Sequence, residues 1–396
     1  MRITRLPRLV VFALAALPSY AAAQPAWDIV TAAPRYGWTF TPTLTAGPQW
    51  DDNVLVQGND DAPASDIGSV VSPIASIDFI GRKSEFSVGY TGNFALYRNF
   101  PALNSFEQAQ RLAVKRRVTR RVTLSAFEAF TMSPTTELQQ LVGVPFVRIG
   151  SRVANGGASL DITLSRKTTI LATYNAQWLR FNDDDLLQGV LVGGESHGGR
   201  VGIRHTLSRR IALTTDAEAT RATIASGGAF AVQNATFGGE YRLDALTRLF
   251  GSAGAARLVA PDIVTPRILP AWRAGVVRTF NPFGVEASYG RTFVPSYAGG
   301  GTEANDEVTF RVSAPIGRRG YFNASTAWRK GSVLVVNDLP LNSVWTSATL
   351  GYALRPWMRV EGFYAGQSQR IDRPGGAVDR RRIGLLISTG APMRIR

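Results

Sequence analysis

The segment ILATYNAQWL, residues 170–179, alternates apolar and mostly polar side chains with a period of two. Such alternation is typical of a β-strand with one apolar face and one polar face. The same pattern recurs at residues 86–96, 308–313, 321–329 and 358–364. We find no amphipathic helix after residue 24, so the chain is predicted to be all-β.

Short turns and longer polar stretches alternate along the chain. Short turns are expected at residues 81–84, 118–121, 165–168, 208–210, 243–246, 281–284, 317–320 and 354–357. Longer loops are expected near residues 52–65, 100–107, 133–149, 182–194, 225–230, 259–266, 295–303, 331–342 and 371–379. Eight turns and nine loops in alternation require about 18 antiparallel strands, of which residues 382–389 are the last clear one.

The polar strand face carries too many charges for a dry core. Examples are Asp216 with Glu218, and Arg359 with Glu361. Unpaired charges in an apolar interior cost several kcal/mol or more. In a closed barrel the polar face instead lines a wet lumen and the apolar face contacts lipid. We therefore predict a closed antiparallel transmembrane β-barrel with short periplasmic turns and longer extracellular loops; a soluble periplasmic β-protein is the alternative.

The composition agrees with this class. Charged residues make up 18% of the 396 residues, below the roughly 25% of an average soluble domain. The chain has no cysteine, which excludes a disulfide scaffold, an iron–sulfur or zinc-finger site and a thiol nucleophile. We therefore expect neither a cofactor nor a metal site of these kinds.

The first residues are typical of an export signal. Arg2, Arg5 and Arg8 precede a short apolar run, which is followed by three alanines. This pattern predicts a cleaved signal peptide over residues 1–23, because the apolar run is too short to span a bilayer. Residues 24–37 are then expected to be a periplasmic lead-in, and residues 38–396 the barrel of the cell outer membrane.

Aromatic and basic residues are expected to mark the two membrane interfaces. The predicted aromatic girdles comprise Phe40, Trp50, Phe94, Phe130, Trp178, Trp272, Trp328, Trp345 and Tyr364. Arg and Lys cluster at the short turns and help to give the net charge of +15. There is no basic helix, so nucleic acid is not an expected partner; these residues suit anionic lipid head groups or an anionic polymer.

Two groups of residues are candidates for function. By strand parity the lumen is expected to be lined by Asn93, Asn175, Gln177, Asp216, Glu218, Glu286, Arg311, Arg329, Arg359 and Glu361. This mixture of charges and amides suits a polar, uncharged or weakly anionic solute such as a sugar chain. Extracellular acidic loops are expected at Asp51, Asp52, Asn53, Asp183, Asp184 and Asp185, where oxygens could bind Ca²⁺ or the loops could be merely solvated.

The segment FTPTLTAGPQWDDNV, residues 40–54, is followed by SPIA at 72–75 and YTGNF at 90–94. In these features the chain resembles the β-barrel porin 2-like family of outer-membrane proteins, many of them encoded with exopolysaccharide machinery. The resemblance implies a barrel of about 16 to 18 strands that exports exopolysaccharide. It also implies as partners outer-membrane lipid and lipopolysaccharide, the barrel-assembly machinery, a polysaccharide and its periplasmic export protein. The sequence ends Met-Arg-Ile-Arg, whereas such barrels usually end on an aromatic residue.

The expected function is therefore a channel for a polar solute, with the 133–149 loop as the best candidate for a constriction. A non-conducting structural or surface-interaction barrel is one alternative, and an inward aromatic residue such as Phe363 would favour it. An outer-membrane hydrolase is another, but His197 and Ser196 are adjacent on a strand and point to opposite faces. No catalytic motif is visible, so no enzymatic activity is expected.

Overall fold

The computed structural model describes residues 36–59, 62–135, 146–182, 191–225, 228–260, 267–280, 283–295, 302–333, 341–371 and 376–395. Within these ranges the chain is almost entirely β, with one 3-10 turn at Pro101–Leu103. No helix in the described ranges is both long enough and apolar enough to cross a bilayer.

Eighteen long strands follow one another, and each pairs antiparallel with the next. Their bounds are β1 Gly37–Asp51, β2 Asp66–Ile80, β3 Ser84–Tyr97, β4 Ser105–Arg117, β5 Val122–Ser133, β6 Ser151–Thr163, β7 Thr168–Phe181, β8 Gly194–Thr206, β9 Ile211–Ile224, β10 Ala229–Arg242, β11 Thr247–Val259, β12 Arg267–Phe280, β13 Phe283–Pro295, β14 Thr302–Ile316, β15 Gly320–Val333, β16 Leu341–Arg355, β17 Met358–Ile371 and β18 Ala377–Gly390. A short β19, Met393–Ile395, follows.

The barrel is closed by β1. This strand pairs with β2 along its whole length and with β18 on its other side, from Thr43 opposite Gly390 to Asp51 opposite Arg382. β19 continues the seam, since Trp38–Phe40 of β1 pair with Met393–Ile395. The prediction of a closed antiparallel barrel of about 18 strands is confirmed, and the non-aromatic end of the sequence is paired within it.

The last hairpin differs from the expectation. The loop predicted at 371–379 is shorter, because β17 extends to Ile371 and β18 already begins at Ala377. Residues 377–379 of the predicted loop are therefore strand residues. The charged residues at the start of β18 obscured the strand in the sequence, but they have partners outside it: Arg380 pairs with Asp51 at the end of β1, and Asp379 with Asn59 in the connection after β1.

The short turns share a local device. In four of them the second residue accepts hydrogen bonds from backbone N–H groups two and three positions later, through a hydroxyl at Thr119, Ser165 and Ser208 and a carboxylate at Asp244. Ser, Thr and Asp form such turns readily because their side chains replace a backbone acceptor. At Asp244 the hydrogen bond from the Leu246 N–H is the main cause that lowers the carboxyl pKa below its ordinary value.

Alternate residues face opposite sides of the wall. On β18, Ile383, Leu385 and Ile387 are about half exposed, whereas Ser388 is buried. On β14, Val308 and Phe310 are exposed and the intervening Thr309 is not. The exposed apolar side chains therefore cover the outside of the barrel, and the other parity faces the lumen.

One predicted girdle residue is placed on the wrong face. Trp345 lies on the inner face of β16 and is only 6% exposed, while its neighbour Val344 is on the outer face. The reason is the register of β16, which places Trp345 opposite Ala327, a neighbour of the outward Trp328. Trp345 is therefore a residue of the lumen wall.

Candidate functional site

The inner wall of the barrel is the candidate functional site. Among the predicted lumen residues, Asn93 is next to Phe94, which is exposed on the outer face, so Asn93 faces inward. In the same way Asn175 follows the outward Tyr174, and Asn175 and Gln177 share the inner face of β7. The structure places the whole predicted set on the inner parity: Asn93, Asn175, Gln177, Asp216, Glu218, Glu286, Arg311, Arg329, Arg359 and Glu361. They are not gathered at one point but are distributed around the wall.

Most inner charges on β13–β15 are paired with a neighbour of opposite sign. Arg329 Nε lies 2.9 Å from Glu307 Oε2, and Arg311 Nη1 lies 3.7 Å from Glu286 Oε2. These pairs form because the residues stand opposite one another, or nearly so, on adjacent strands. The lumen wall is therefore strongly polar here without a large excess of one sign.

The wall of β8–β11 repeats this arrangement. Arg200 donates to Asp216 Oδ1 from Nη2 at 2.7 Å, and Glu240 accepts from Arg204 at 3.0 Å and from Arg248 at 3.4 Å. Arg248 and Arg273 also lie over the Phe250 ring, at 5.9 and 5.3 Å from its centroid. The arginines are thus held against the wall rather than extended freely into the lumen.

A buried cluster joins β15, β16 and β17. Tyr321, 2% exposed, donates a hydrogen bond from its hydroxyl to Glu361, and Arg359 Nε lies 2.8 Å from the same carboxylate oxygen. The Tyr321 ring lies against Gly351, where a Cβ would come within 2.2 Å of Cζ. Gly351 therefore makes room for the ring.

Replacing this glycine is expected to destabilise the barrel. Gly351→Ala forces a bonded, buried ring to move, which costs about 1–3 kcal/mol for overpacking of this kind. We expect the free energy of unfolding, measured by denaturant titration of the refolded protein, to fall by that amount.

Two further variants test the cause. Gly362→Ala on β17 adds the same atom where nothing lies within 4 Å, so it should change stability by no more than about 0.5 kcal/mol. In a Tyr321→Ala background, Gly351→Ala should cost far less than alone. An equal cost of Gly351→Ala in both backgrounds would show that the ring is not the cause.

The inward aromatic Phe363 does not fill the lumen. Its ring lies above Gly384 on the adjacent strand, where a Cβ would come within 2.3 Å of Phe363 Cε1. The ring therefore lies along the wall. The presence of this aromatic residue on the inner face does not by itself favour the non-conducting alternative.

The loop side of the seam is closed by a buried ion pair. Arg380 on β18 donates from Nε to both carboxylate oxygens of Asp51, at 3.0 and 3.1 Å, and from Nη2 to Oδ2. Both side chains are almost completely buried. Asn53, also fully buried, donates from Nδ2 to the carbonyls of Gln57 and Asp379 at 2.9 and 3.0 Å. These contacts fix the segment after β1 to the inside of the rim.

These contacts correct the prediction for the acidic loops. Asp51 is the last residue of β1 and Asn53 follows it closely, and neither is exposed. The Asp51 carboxylate is occupied by Arg380, and Asp52 Oδ1 accepts the Arg381 N–H at 2.6 Å. No group of acidic or histidine residues in the described ranges is arranged to hold a metal ion. Asp183, Asp184 and Asp185 lie outside the described residues.

The end of the long β5–β6 connection crosses the mouth of the barrel. The Phe146 N–H donates to Gln369 Oε1 on β17 at 2.7 Å, and its ring meets Trp345 edge-on with centroids 4.5 Å apart. Arg148 donates to the carbonyls of Val54 and Leu103, at 2.9 and 2.8 Å. Since β17 lies many strands from β5 around the barrel, residues 146–149 form a strap across the loop-side mouth, which we call the mouth strap.

Sequence reasoning named the 133–149 loop as a constriction but identified none of the residues that hold it. Residues 136–145 lie outside the described residues, while Ser133 and Thr135 at its start are buried. A partly buried arginine that donates to backbone carbonyls, such as Arg148, leaves no signal in the sequence. A weak signal was the run of apolar residues 144–147 inside a stretch that otherwise has loop character.

Apolar side chains line the rest of this mouth. One cluster is formed by buried residues of β9–β12, among them Ile224, Phe230, Val232 and Leu258. A second joins Ile149 of the mouth strap to Val153, Leu179 and Leu191. On β6–β7 and β9–β12 the inner wall thus changes from polar in its middle to apolar at the loop side.

The two histidines both lie on the outer face. His197 shares a hydrogen bond of 2.8 Å with the hydroxyl of Tyr174, and His205 one of 2.9 Å with Thr168. Ser196 has the inner parity, as the alternation of β8 requires. The structure therefore does not bring Ser196 and His197 together.

No family model matches the sequence, and a comparison with curated proteins finds no match either. The resemblance to the β-barrel porin 2-like family therefore stays a prediction. Among solved structures, OpdO from Pseudomonas aeruginosa is similar with 14% identity over 90% of this chain and 97% of that chain, at a TM-score of 0.48. OpdQ from the same organism has 10% identity over 90% and 98% of the chains and a TM-score of 0.46. The siderophore receptor PirA, also from Pseudomonas aeruginosa, has 11% identity over 91% and 81%, again at a TM-score of 0.46.

Proposed function

We propose that the protein is a channel of the outer membrane through which a polar solute of little net charge passes, with the mouth strap as its constriction. The observation that carries the proposal is the contrast between the two faces of one closed wall. Charged and amide side chains line the inside, and large apolar side chains are exposed on the outside.

The outer face supports a membrane location. Residues such as Leu350, Leu385 and Val201 each expose about half of their side-chain surface on strands of 13 to 15 residues. A strand of this length spans about 45 Å at ~3.3 Å per residue, and about 35 Å of height after the usual tilt of a barrel strand. This exceeds the ~25 Å apolar band of outer-membrane barrels, and so much exposed apolar surface is rarely stable in water.

The inner face supports passage of a polar solute. A barrel of 16–18 strands encloses a lumen wide enough for water, and here the wall is made of neutralised pairs such as Arg329–Glu307 and Arg200–Asp216. A wall of paired charges offers hydrogen bonds without a strong field of one sign. A hydroxyl-rich chain suits this wall, and in line with the resemblance noted above we propose export of an exopolysaccharide as the specific role.

The proposal is tested by recording the refolded protein in planar bilayers under a salt gradient. We expect resolvable conductance steps with weak ion selectivity, the permeability ratio of the two ions staying within about fourfold, because the wall charges are paired. Neutral oligosaccharides added on the turn side should block the steps reversibly.

Two results would contradict the proposal. Strong selectivity for one ion would show that the pairs do not neutralise the lumen. Silence from both the intact protein and a variant that lacks residues 136–147, while both migrate as folded barrels, would favour the non-conducting surface-interaction alternative.

A further inference from the structure

We propose that the outer face carries a binding site for the phosphate group of an anionic lipid, at the loop-side ends of β15, β16 and β17. The inference rests on the outer-membrane location proposed above, because only there is this face in contact with lipid. The site is a groove of about 460 Å³ on the outside of the barrel.

The groove is built from two rows of outward side chains. Lys330, Asn342 and Arg370 stand directly opposite one another on three adjacent strands. The next row toward the middle of the barrel is Trp328, Val344 and Ser368, in the same cross-strand register. A polar cationic row thus lies above a mainly apolar row, as a lipid with a charged head and an apolar body requires.

The two cations of the groove lack acidic partners among the described residues. Asp306 stands opposite Lys330 on β14, but Arg291 holds it from Nε at 2.8 Å and from Nη2 at 2.5 Å. On the other flank Asp379 accepts a hydrogen bond from Asn59 Nδ2 at 2.6 Å. The acidic residues nearest in register are therefore already bound, and neither Lys330 nor Arg370 has a carboxylate within 4 Å in the part of the chain described.

The spacing of the cations fits one phosphate group. Lys330 and Arg370 are two strands apart, or about 10 Å at ~4.8 Å per strand. Their long side chains can converge over Asn342, whose amide supplies a further hydrogen-bond donor. Trp328, 40% exposed, forms the floor beside Val344 and suits contact with the sugar or acyl part of a lipid.

The charge on this end of the outer face matches an anionic leaflet. Exposed cations at the loop-side strand ends also include Arg180, Arg221, Arg257 and Arg381. Cations near an anionic membrane surface each contribute a favourable interaction, which falls off within a Debye length. Within this belt the groove differs in combining two cations and an amide with a concave apolar floor.

The test is a lipid titration of the folded, detergent-solubilised protein followed by native mass spectrometry, with diphosphoryl lipid A as the probe. The groove variant Lys330→Gln/Arg370→Gln should bind the first lipid A molecule about thirtyfold more weakly than the wild type, as expected for two surface cations. The matched control Arg221→Gln/Arg257→Gln removes two outward arginines of the same belt and should change this affinity by less than about threefold.

Further arms identify the chemical group that is recognised. Dephosphorylated lipid A should bind wild type and groove variant alike, and excess inorganic phosphate should not displace diphosphoryl lipid A from the wild type. Equal weakening in the groove and control variants, or no weakening in the groove variant, would overturn the site. Displacement by inorganic phosphate alone would show a simple anion site and overturn the lipid assignment.

The channel proposal is tested separately in the same variants. Lys330 and Arg370 face away from the lumen, so the groove variant should keep the conductance of the wild type. Unchanged lipid binding with normal conductance would reject the groove alone, whereas silence from both the wild-type protein and the variant that lacks residues 136–147 would reject the channel.

Discussion

Single-channel conductance is expected to rise at least about twofold when Phe146 and Arg148 are both replaced by alanine, because conductance follows the width of the narrowest part of the pore. Phe146 packs on Trp345 of the inner wall, and Arg148 donates to two backbone carbonyls on other segments of the rim. The double variant removes these side-chain contacts of the mouth strap and leaves the hydrogen bond from the backbone N–H of residue 146 to Gln369. The measurement is made on the refolded variant in planar bilayers.

The size of the effect follows from where the strap is attached. Its contacts join β5–β6 to β16–β17 across the mouth, and the adjoining wall is apolar. A strap that has lost these side-chain contacts covers this wall less tightly, so more water and ions enter. Each single variant should give a smaller increase than the double variant, since each retains part of the attachments.

A control separates the strap from a simple loss of charge. Arg152 lies four residues after Arg148 and is exposed on the outer parity of β6. Arg152→Ala also removes one positive charge but none of the mouth contacts, so it should leave the conductance as in wild type. Conductance that is the same in wild type and in the Phe146→Ala/Arg148→Ala variant would show that the strap is not the constriction.

The second large effect concerns stability. Arg380→Ala is expected to lower the free energy of unfolding by about 3–5 kcal/mol, because it leaves a buried carboxylate without its partner. Asp51 is 0% exposed and accepts three hydrogen-bond contacts from Arg380. The two residues join β1 to β18, so the loss falls on the seam that closes the barrel. Denaturant titration of the refolded protein measures it.

Arg311 provides a matched control. Arg311→Ala also removes an inner arginine from an ion pair, but here the atoms are 3.7 Å apart and about a third of each side chain is exposed. Such a pair contributes no more than about 1 kcal/mol. Adding Asp51→Asn to Arg380→Ala should restore much of the stability, because the buried charge is then removed. Equal losses for Arg380→Ala and Arg311→Ala would contradict the proposed role of burial.

The two predictions concern the same mouth, in which the seam ion pair and the mouth strap are connected. The Asp51–Arg380 pair and Asn53 hold the first loop against the wall, and Arg148 of the mouth strap donates to the carbonyl of Val54 in that loop. The strap is therefore anchored to a segment that the seam itself keeps in place. This arrangement holds the strap across the mouth by contacts at the rim.

Much of the barrel was predictable from the sequence because its information is local. The period of two assigns Asn175 and Tyr174 to opposite faces, and turn residues such as Ser165 and Ser208 carry their own hydrogen bonds. The face of Trp345 was mispredicted because it depends on how β16 pairs with β15, which the local pattern does not determine. Its parity depends on the register of β16, and a shift of one residue moves every side chain of a strand to the other face.

Strand alternation, turn chemistry and loop length by themselves determined that the chain forms a barrel of about 18 strands with a polar inside, because each depends on residues only a few positions apart. Only the tertiary structure decided what happens at the mouth. Asp51 meets Arg380 across 329 positions, and Phe146 meets Gln369 across 223. Contacts of that range exist only once the wall has closed, since closure brings the first strand beside the last and sets the span that the strap must cross.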